Sequence, residues 1–162
     1  MYAGQQAARY GPYHADPSPE QLTRFFSLSP QDLSFLADYR RSYTQLGCAV
    51  QLCTLRFLGT FLPVPTQVPV IAVQTLAQQL HLPTDTWNDR YTRPTTLSDQ
   101  QSHIITYLSF GAFESRQILH LTHCLYNQAV TGTLRPSVLF DLTTAHLVAQ
   151  RIMLPGARCW PA

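Results

Sequence analysis

Apolar residues recur along this chain at helical rather than strand spacing. Ser29-Pro30-Gln31-Asp32 opens the first clear pattern, with Ser as N-cap, Pro at the first helical position and an acid in the first turn. Leu33, Leu36 and Ala37 follow in register, which predicts a helix ending near Arg41. A second helix is expected from Ser42 or Thr44. In it Leu46, Val50, Cys53 and Phe57 fall at i, i+4, i+7 and i+11, one continuous stripe. Leu52 and Leu55 add apolar surface on other faces, so this helix should be the most buried, and Gly59 suits its C-terminal cap. Thr66 to Pro69 opens a third helix with Val73, Leu76, Ala77 and Leu80 inward.

The run from His81 to Pro94 is polar and broken by proline, and it reads as a connector with one turn of helix around Trp87. A fourth helix is expected over 97–108 on Leu97, Ile104 and Leu108, and a fifth over 114–129 on Ile118, Leu121, Leu125 and Ala129. Gly132 breaks it, and Pro136 starts a sixth with Val138, Leu142, Ala145, Ala149 and Ile152 in register, stopped by Pro155-Gly156. No segment sustains period-two alternation, so the expected fold class is all-α. Residues 1–21, rich in Gly, Pro, Ala, Gln and Tyr without periodicity, read as a disordered tail. The expected organisation is a first helical, helix-turn-helix-like module over 22–82, a polar connector over 83–94, a second helical module over 95–155, and a tail over 156–162.

Composition narrows the function classes. The chain has 162 residues, 45% of them hydrophobic, enough for a real core. Only 12% are charged, against about 25% in an average domain. No apolar run approaches the ~20 residues of a membrane span. There is no apolar signal core at the N-terminus, so a cytoplasmic location is expected, with no membrane partner. Four Cys in such a chain read as free, packed thiols.

Chemistry-bearing clusters are sparse. His120-x-x-His123-Cys124 places two imidazoles and a thiol on one helix face, and His146 could complete a metal site. Leu121 and Leu125 set the inner face there, so surface histidines and a packed cysteine are the reading kept. Acids are few and scattered, and no phosphate loop, nucleophile elbow or zinc-protease motif occurs. No catalytic residue, metal or cofactor is therefore expected. Net charge is +2, and every basic residue is Arg. Arg pairs bidentately with phosphate and guanine, so a few can matter more than their number suggests. Arg40, Arg41, Arg56, Arg90 and Arg93 are the candidate DNA-binding residues. Arg40 and Arg41 also have a structural reading, since they would close the first helix, where its dipole favours cations.

Phe25-Phe26-Ser27-Leu28-Ser29-Pro30-Gln31-Asp32, the Arg40-Arg41 pair, and the run Leu46-Gly47-Cys48-Ala49-Val50-Gln51-Leu52-Cys53-Thr54-Leu55-Arg56-Phe57 carry a resemblance. The chain resembles the N-terminal region of transposases from the Tn-three family of bacterial class II replicative transposons. These read roughly F-F-x-L-S-x-x-D, then an Arg-rich turn, then L-G-F-A-x-Q-L-C-x-L-R-[FY]-x-G-x-F-L. Gly59, Phe61, Leu62, Val68-Pro69 and Ala77-Gln78-Gln79-Leu80 continue the likeness, which extends in looser form to Pro155-Gly156. Gln100 stands where the family usually has His, Ser109 where it has Gly, and Cys48 where it has an aromatic.

The resemblance implies a helical region that recognises the terminal inverted repeats of a transposon. The expected partners are double-stranded DNA and full-length transposase, and DNA-bound protein would sit with the nucleoid. The family's catalytic carboxylates lie in a later domain, and the closing Ala157-Arg158-Cys159-Trp160-Pro161-Ala162 does not match the continuation. A truncated, non-cutting fragment is expected, one that would compete with intact transposase. The alternative is an inert helical remnant, or a protein-interaction fragment that docks on the full-length enzyme.

Overall fold

The computed structural model describes residues 13, 16–62, 64, 66–84, 94–114, 119, 121–123, 126–127, 130 and 136–154. The fold is all-α. Its helices are α1 (Pro19–Phe25), α2 (Pro30–Ala37), α3 (Ser42–Leu58), α4 (Val70–Leu80), α5 (Pro94–Leu108) and α6 (Pro136–Ala149), with further helical residues between 119 and 130. Among the described residues there is no strand, only an isolated parallel bridge between Gly111 and Ile152. None of the described helices is long and apolar enough to cross a membrane.

The chain divides into two compact units, Met1–Ile104 and Ile105–Ala162. In the first, helix starts are written locally. Ser18 and Ser29 each cap a helix that has Pro at its first turn, and each closes a reciprocal capping box, with Gln21 and Asp32 respectively. The first helix therefore starts at Pro19, inside the stretch 1–21 expected as a disordered tail, because Ser18 and Gln21 supply a complete N-terminal cap. Order reaches further back still. Tyr13 stacks on Phe57 at 5.9 Å and shares a hydrogen bond of 3.1 Å with Thr54, and Pro17 is buried.

α3 is the centre of this unit. Every residue from Leu46 to Leu55 is buried, so the expected stripe is only part of an interior that surrounds the helix. Phe25 and Phe26 meet Phe57 at 5.3 and 5.7 Å, which seats α1 against α3. α4 packs on α3 through Ala72, Val73, Leu76 and Ala77. Each fully buried Leu or Phe contributes on the order of 1.5–3 kcal/mol. Gln79 ties α4 to the turn between α1 and α2, donating to the Phe26 carbonyl and accepting from the Leu28 amide, both at 2.8 Å.

α5 is anchored by a polar residue as well as by Ile104. Gln100 is 1% exposed; its amide donates to the Thr44 carbonyl at 3.1 Å and its carbonyl faces the Gln51 amide. Two amides inside an apolar interior fix register, because each loses its hydration unless it meets the other.

Among the described residues of the second unit, Leu121, Thr144, Leu147, Met153 and Leu154 are buried. Gly111 donates to the Arg151 carbonyl and accepts from the Met153 amide, joining the end of α5 to the segment after α6. Two expectations fail here. α6 stops at Ala149, short of Pro155, and the stripe through Leu142, Ala145 and Ala149 is exposed, while Thr144 and Leu147 face inward. Apolar residues lie all around α6, so more than one face satisfied the helical period. Ile118, Leu125 and Ala129 of the fifth helix, and Trp87 in the connector, lie outside the described residues.

Left-handed residues end several helices. Gly59 caps α3 with φ 72°, as expected from its sequence position. Ser109, which follows α5 where the family pattern has Gly, adopts φ 54° without that freedom. Gly59→Ala should therefore lower stability by about 1–2 kcal/mol, and Ser109→Gly should raise it by up to about 1 kcal/mol. Urea denaturation midpoints read both, and a matching sign for the two would contradict the assignment.

Burial also pushes the Cys48 and Cys53 thiols up from 9.0 to about 12, partly offset by Tyr39 beside Cys48 and Arg56 near Cys53. Both cysteines are free. The unfolded chain gives up these protons near pH 9 and the folded chain does not. Their contribution to stability is thus complete below pH 9 and shrinks as pH rises toward 12, by about 1.4 kcal/mol per pH unit per thiol. Denaturation at pH 8 and 10 measures this, and Cys48→Ser should lessen the difference.

Candidate nucleic-acid interface

The link between α2 and α3 carries the two candidate arginines that face solvent. α2 ends at Ala37, four residues before the expected Arg41. The early stop frees Tyr39 from helical register. Its ring meets Phe35 edge-on at 6.0 Å, and its hydroxyl lies 3.3 Å from His103 Nδ1 on α5. Burial, and then the neighbouring Cys48 thiol, raise the Tyr39 phenol above its ordinary range, so it stays a neutral anchor. The link is thereby pinned at Tyr39, and Arg40 and Arg41 follow it on the exposed side.

The structural reading of Arg40 and Arg41 as C-terminal cations of the first helix is overturned. Arg41 is instead the N-cap of α3, with extended backbone at φ −96° and ψ 129° and no side-chain cap. A helix start carries partial positive charge, so a cation there gains nothing from the dipole. Its carbonyl accepts from the Thr44 and Gln45 amides at 2.9 Å, while its guanidinium turns to the Tyr43 hydroxyl at 2.8 Å. That hydrogen bond raises the guanidinium's pKa further.

Arg56 is placed differently. Both terminal nitrogens donate to Asp32, Nη1 to Oδ2 at 2.9 Å and Nη2 to Oδ1 at 2.5 Å. Asp32 is 1% exposed and the Arg56 side chain 25%. Asp32 Oδ2 also accepts from the Ser29 amide at 2.8 Å, so one carboxylate closes the cap of α2 and holds the fork of α3. By sequence alone Asp32 reads as a cap and Arg56 as a DNA contact; in the fold the two meet. Arg90 and Arg93 lie outside the described residues. Two other cations are placed. Arg24 sits 5.2 Å from the Phe25 ring centroid, and Arg151 donates to the Leu108 carbonyl at 3.1 Å.

For the metal candidates, His120 and Cys124 lie outside the described residues, while His123 is exposed and pairs with Asn127 at 3.1 Å. Among the described residues no group of three His, Cys, Asp or Glu side chains converges.

Comparison with known proteins gives a family. The profile of a family described as "Domain of unknown function (DUF4158)" matches residues 3–159. The chain is 38% identical over 154 residues to the transposase for transposon gamma-delta from Escherichia coli (strain K12), covering 94% of this chain and 15% of the relative. It is 32% identical over 139 residues to the transposase for transposon Tn3926 and 30% identical over 142 residues to that for Tn21, both from Escherichia coli. These matches take in 85% and 86% of this chain and 14% of each relative. The chain thus spans about one-seventh of the length of these relatives.

The forked pair makes a stability prediction. Removing one partner of a buried ion pair strands the other, at a cost of about 3–5 kcal/mol. Asp32→Ala should fall in that range, since the cap is lost with the pair, and Arg56→Lys should cost less because charge is kept while the fork is lost. Chemical denaturation tests the order, and an unchanged midpoint in Asp32→Ala would remove the pair from the scaffold.

Proposed function

The chain belongs to the DUF4158 family and is similar to the N-terminal region of Tn-three family transposases, and we propose that it is a DNA-binding segment that recognises the terminal inverted repeats of a transposon. The reading assigns the segment to DNA binding rather than to strand cleavage. The partner is double-stranded DNA, held by phosphate contacts that position the protein and base contacts that specify the site.

One observation carries the reading: the Arg40 and Arg41 side chains are exposed on a pinned link directly before α3, where neither a side-chain cap nor the helix dipole accounts for their charge. Two adjacent guanidiniums beside a helix N-terminus form an arrangement suited to a phosphate oxygen, since amide dipoles and fixed charges then attract the same anion. Arg56 belongs to the scaffold in this account, because its fork is committed to Asp32. Arg90 and Arg93 stay as proposed contacts on the strength of the sequence alone.

Phosphate contacts are sequence-independent and release counterions, which makes the test quantitative. Replacing Arg40 and Arg41 together by Ala should weaken binding to a gamma-delta end duplex and to a scrambled duplex alike. The slope of log affinity against log salt should fall by about 1.8. A gel-shift series across salt concentrations reads both. Unchanged affinity and slope in a folded double variant would restrict these residues to the link's own structure.

A further inference from the structure

Anchoring to phosphate leaves open which helix reads sequence, and the first unit admits few choices. α3 is buried from Leu46 to Leu55 and has no face to offer a groove. α1 has seven residues and places Glu20 in its first turn. α2 is capped by Asp38, and α5 presents an exposed Asp99, so each would bring a carboxylate toward a polyanion. α4 differs from all of these. It lies within a stretch, residues 57–84, that contains no Asp, Glu, Lys or Arg.

The outward side of α4 has a definite chemistry. Ile71, Gln74, Gln78 and His81 follow at i, i+3, i+7 and i+10, on one face, and all four are exposed. The opposite face is fixed by Ala72, Val73, Leu76 and Ala77 in the core and by Gln79 through its hydrogen bonds to the Phe26 carbonyl and the Leu28 amide. The outer row is therefore held rigidly from behind. At its C-terminal end Gln74, Gln78 and His81 border an open groove of about 680 Å³ closed on the other side by Leu82, Pro83 and Thr84. A carboxamide presents a donor and an acceptor in one plane, matching the N6 and N7 edge of adenine, and an aliphatic side chain suits the thymine methyl. Two Gln one turn apart on an uncharged, rigid face match the edge pattern of an A·T-containing major groove. No carboxylate on the helix opposes the phosphates on either side.

We infer that α4 is the helix that enters the major groove, with Gln74 and Gln78 contacting base edges. The inference rests on the DNA-binding reading above and adds to it the specificity-determining residues.

The experiment selects preferred sites for the full chain from a pool of random duplexes, then measures affinity for the selected duplex and its single-base variants. Gln74→Ala and Gln78→Ala should each relax discrimination at one base pair by about 5- to 150-fold, while binding to scrambled duplex stays constant. Gln78→Glu should move the preference at its position from A toward C, since a carboxylate accepts from the cytosine amino group. Both positions of change are exposed helix sites, so folding is retained, and circular dichroism checks it. Arg40→Ala with Arg41→Ala should weaken every duplex without altering the selected motif. If the wild-type chain selects a motif and all three α4 variants select it with undiminished discrimination, the assignment of α4 is overturned while DNA binding stands. If the wild-type chain binds no duplex, the DNA-binding reading falls and the assignment falls with it.

Discussion

The ion pair between Asp32 and Arg56 fixes the arrangement on which the rest of the first unit depends. Asp32 is nearly inaccessible to water, and a carboxylate in that position is costly unless every lone pair facing the interior is used. Here it accepts from the Ser29 amide and from both terminal nitrogens of Arg56. The start of α2 and the last turns of α3 are thereby locked together across 24 residues of chain. The same pair joins the two most family-like stretches of the sequence, the Ser-x-x-Asp turn and the Gln-Leu-Cys-x-Leu-Arg run. What makes the chain recognisable is thus its scaffold. Gln51, in the same run, does a parallel task by facing Gln100 on α5.

Once α3 is enclosed, outward chemistry passes to the elements that flank it. The link before α3 is held at Tyr39 by Phe35 and His103, which leaves Arg40 and Arg41 displayed on a short, anchored segment. α4 is held from behind by its apolar face and by Gln79. A rigid support matters for recognition, because base edges are read by hydrogen bonds whose geometry tolerates little error. The proposal therefore divides labour among four kinds of residue. Asp32 and Arg56 set the frame, Tyr39 and Gln79 pin the outer elements, the arginine pair meets phosphate, and the glutamines of α4 meet bases.

Much of this was legible in the sequence where the signal is local. Ser29-Pro30 and Gly59 mark helix ends by backbone chemistry alone, and both fall where expected. The Leu46-Val50-Cys53-Phe57 stripe is buried as its spacing implies. Signals that depend on distant partners were not legible. The meeting of Asp32 with Arg56 needs the packing of α2 on α3, and each residue had a sufficient local explanation. Tyr39, just past the end of α2, meets His103 on α5, a contact that no local rule encodes. The inward face of α6 could not be chosen because apolar residues surround that helix. The burial of Gln100 has no local signal, and only the facing Gln51 and Thr44 explain it. Tyr13 and Pro17 look like tail residues until Phe57 and Thr54 are placed beside the tyrosine.

The central claim is that the family-like run of α3 is scaffold and that DNA is met by the link and by α4. Titrating a gamma-delta end duplex into isotopically labelled protein and following each backbone amide by NMR tests it in one measurement. The account expects the largest shifts at Arg40 to Thr44 and along Ile71, Gln74, Gln78 and His81, with Gln51 and Arg56 nearly still. Shifts centred on Arg56 and its neighbours in α3, or none at saturating duplex, would contradict it.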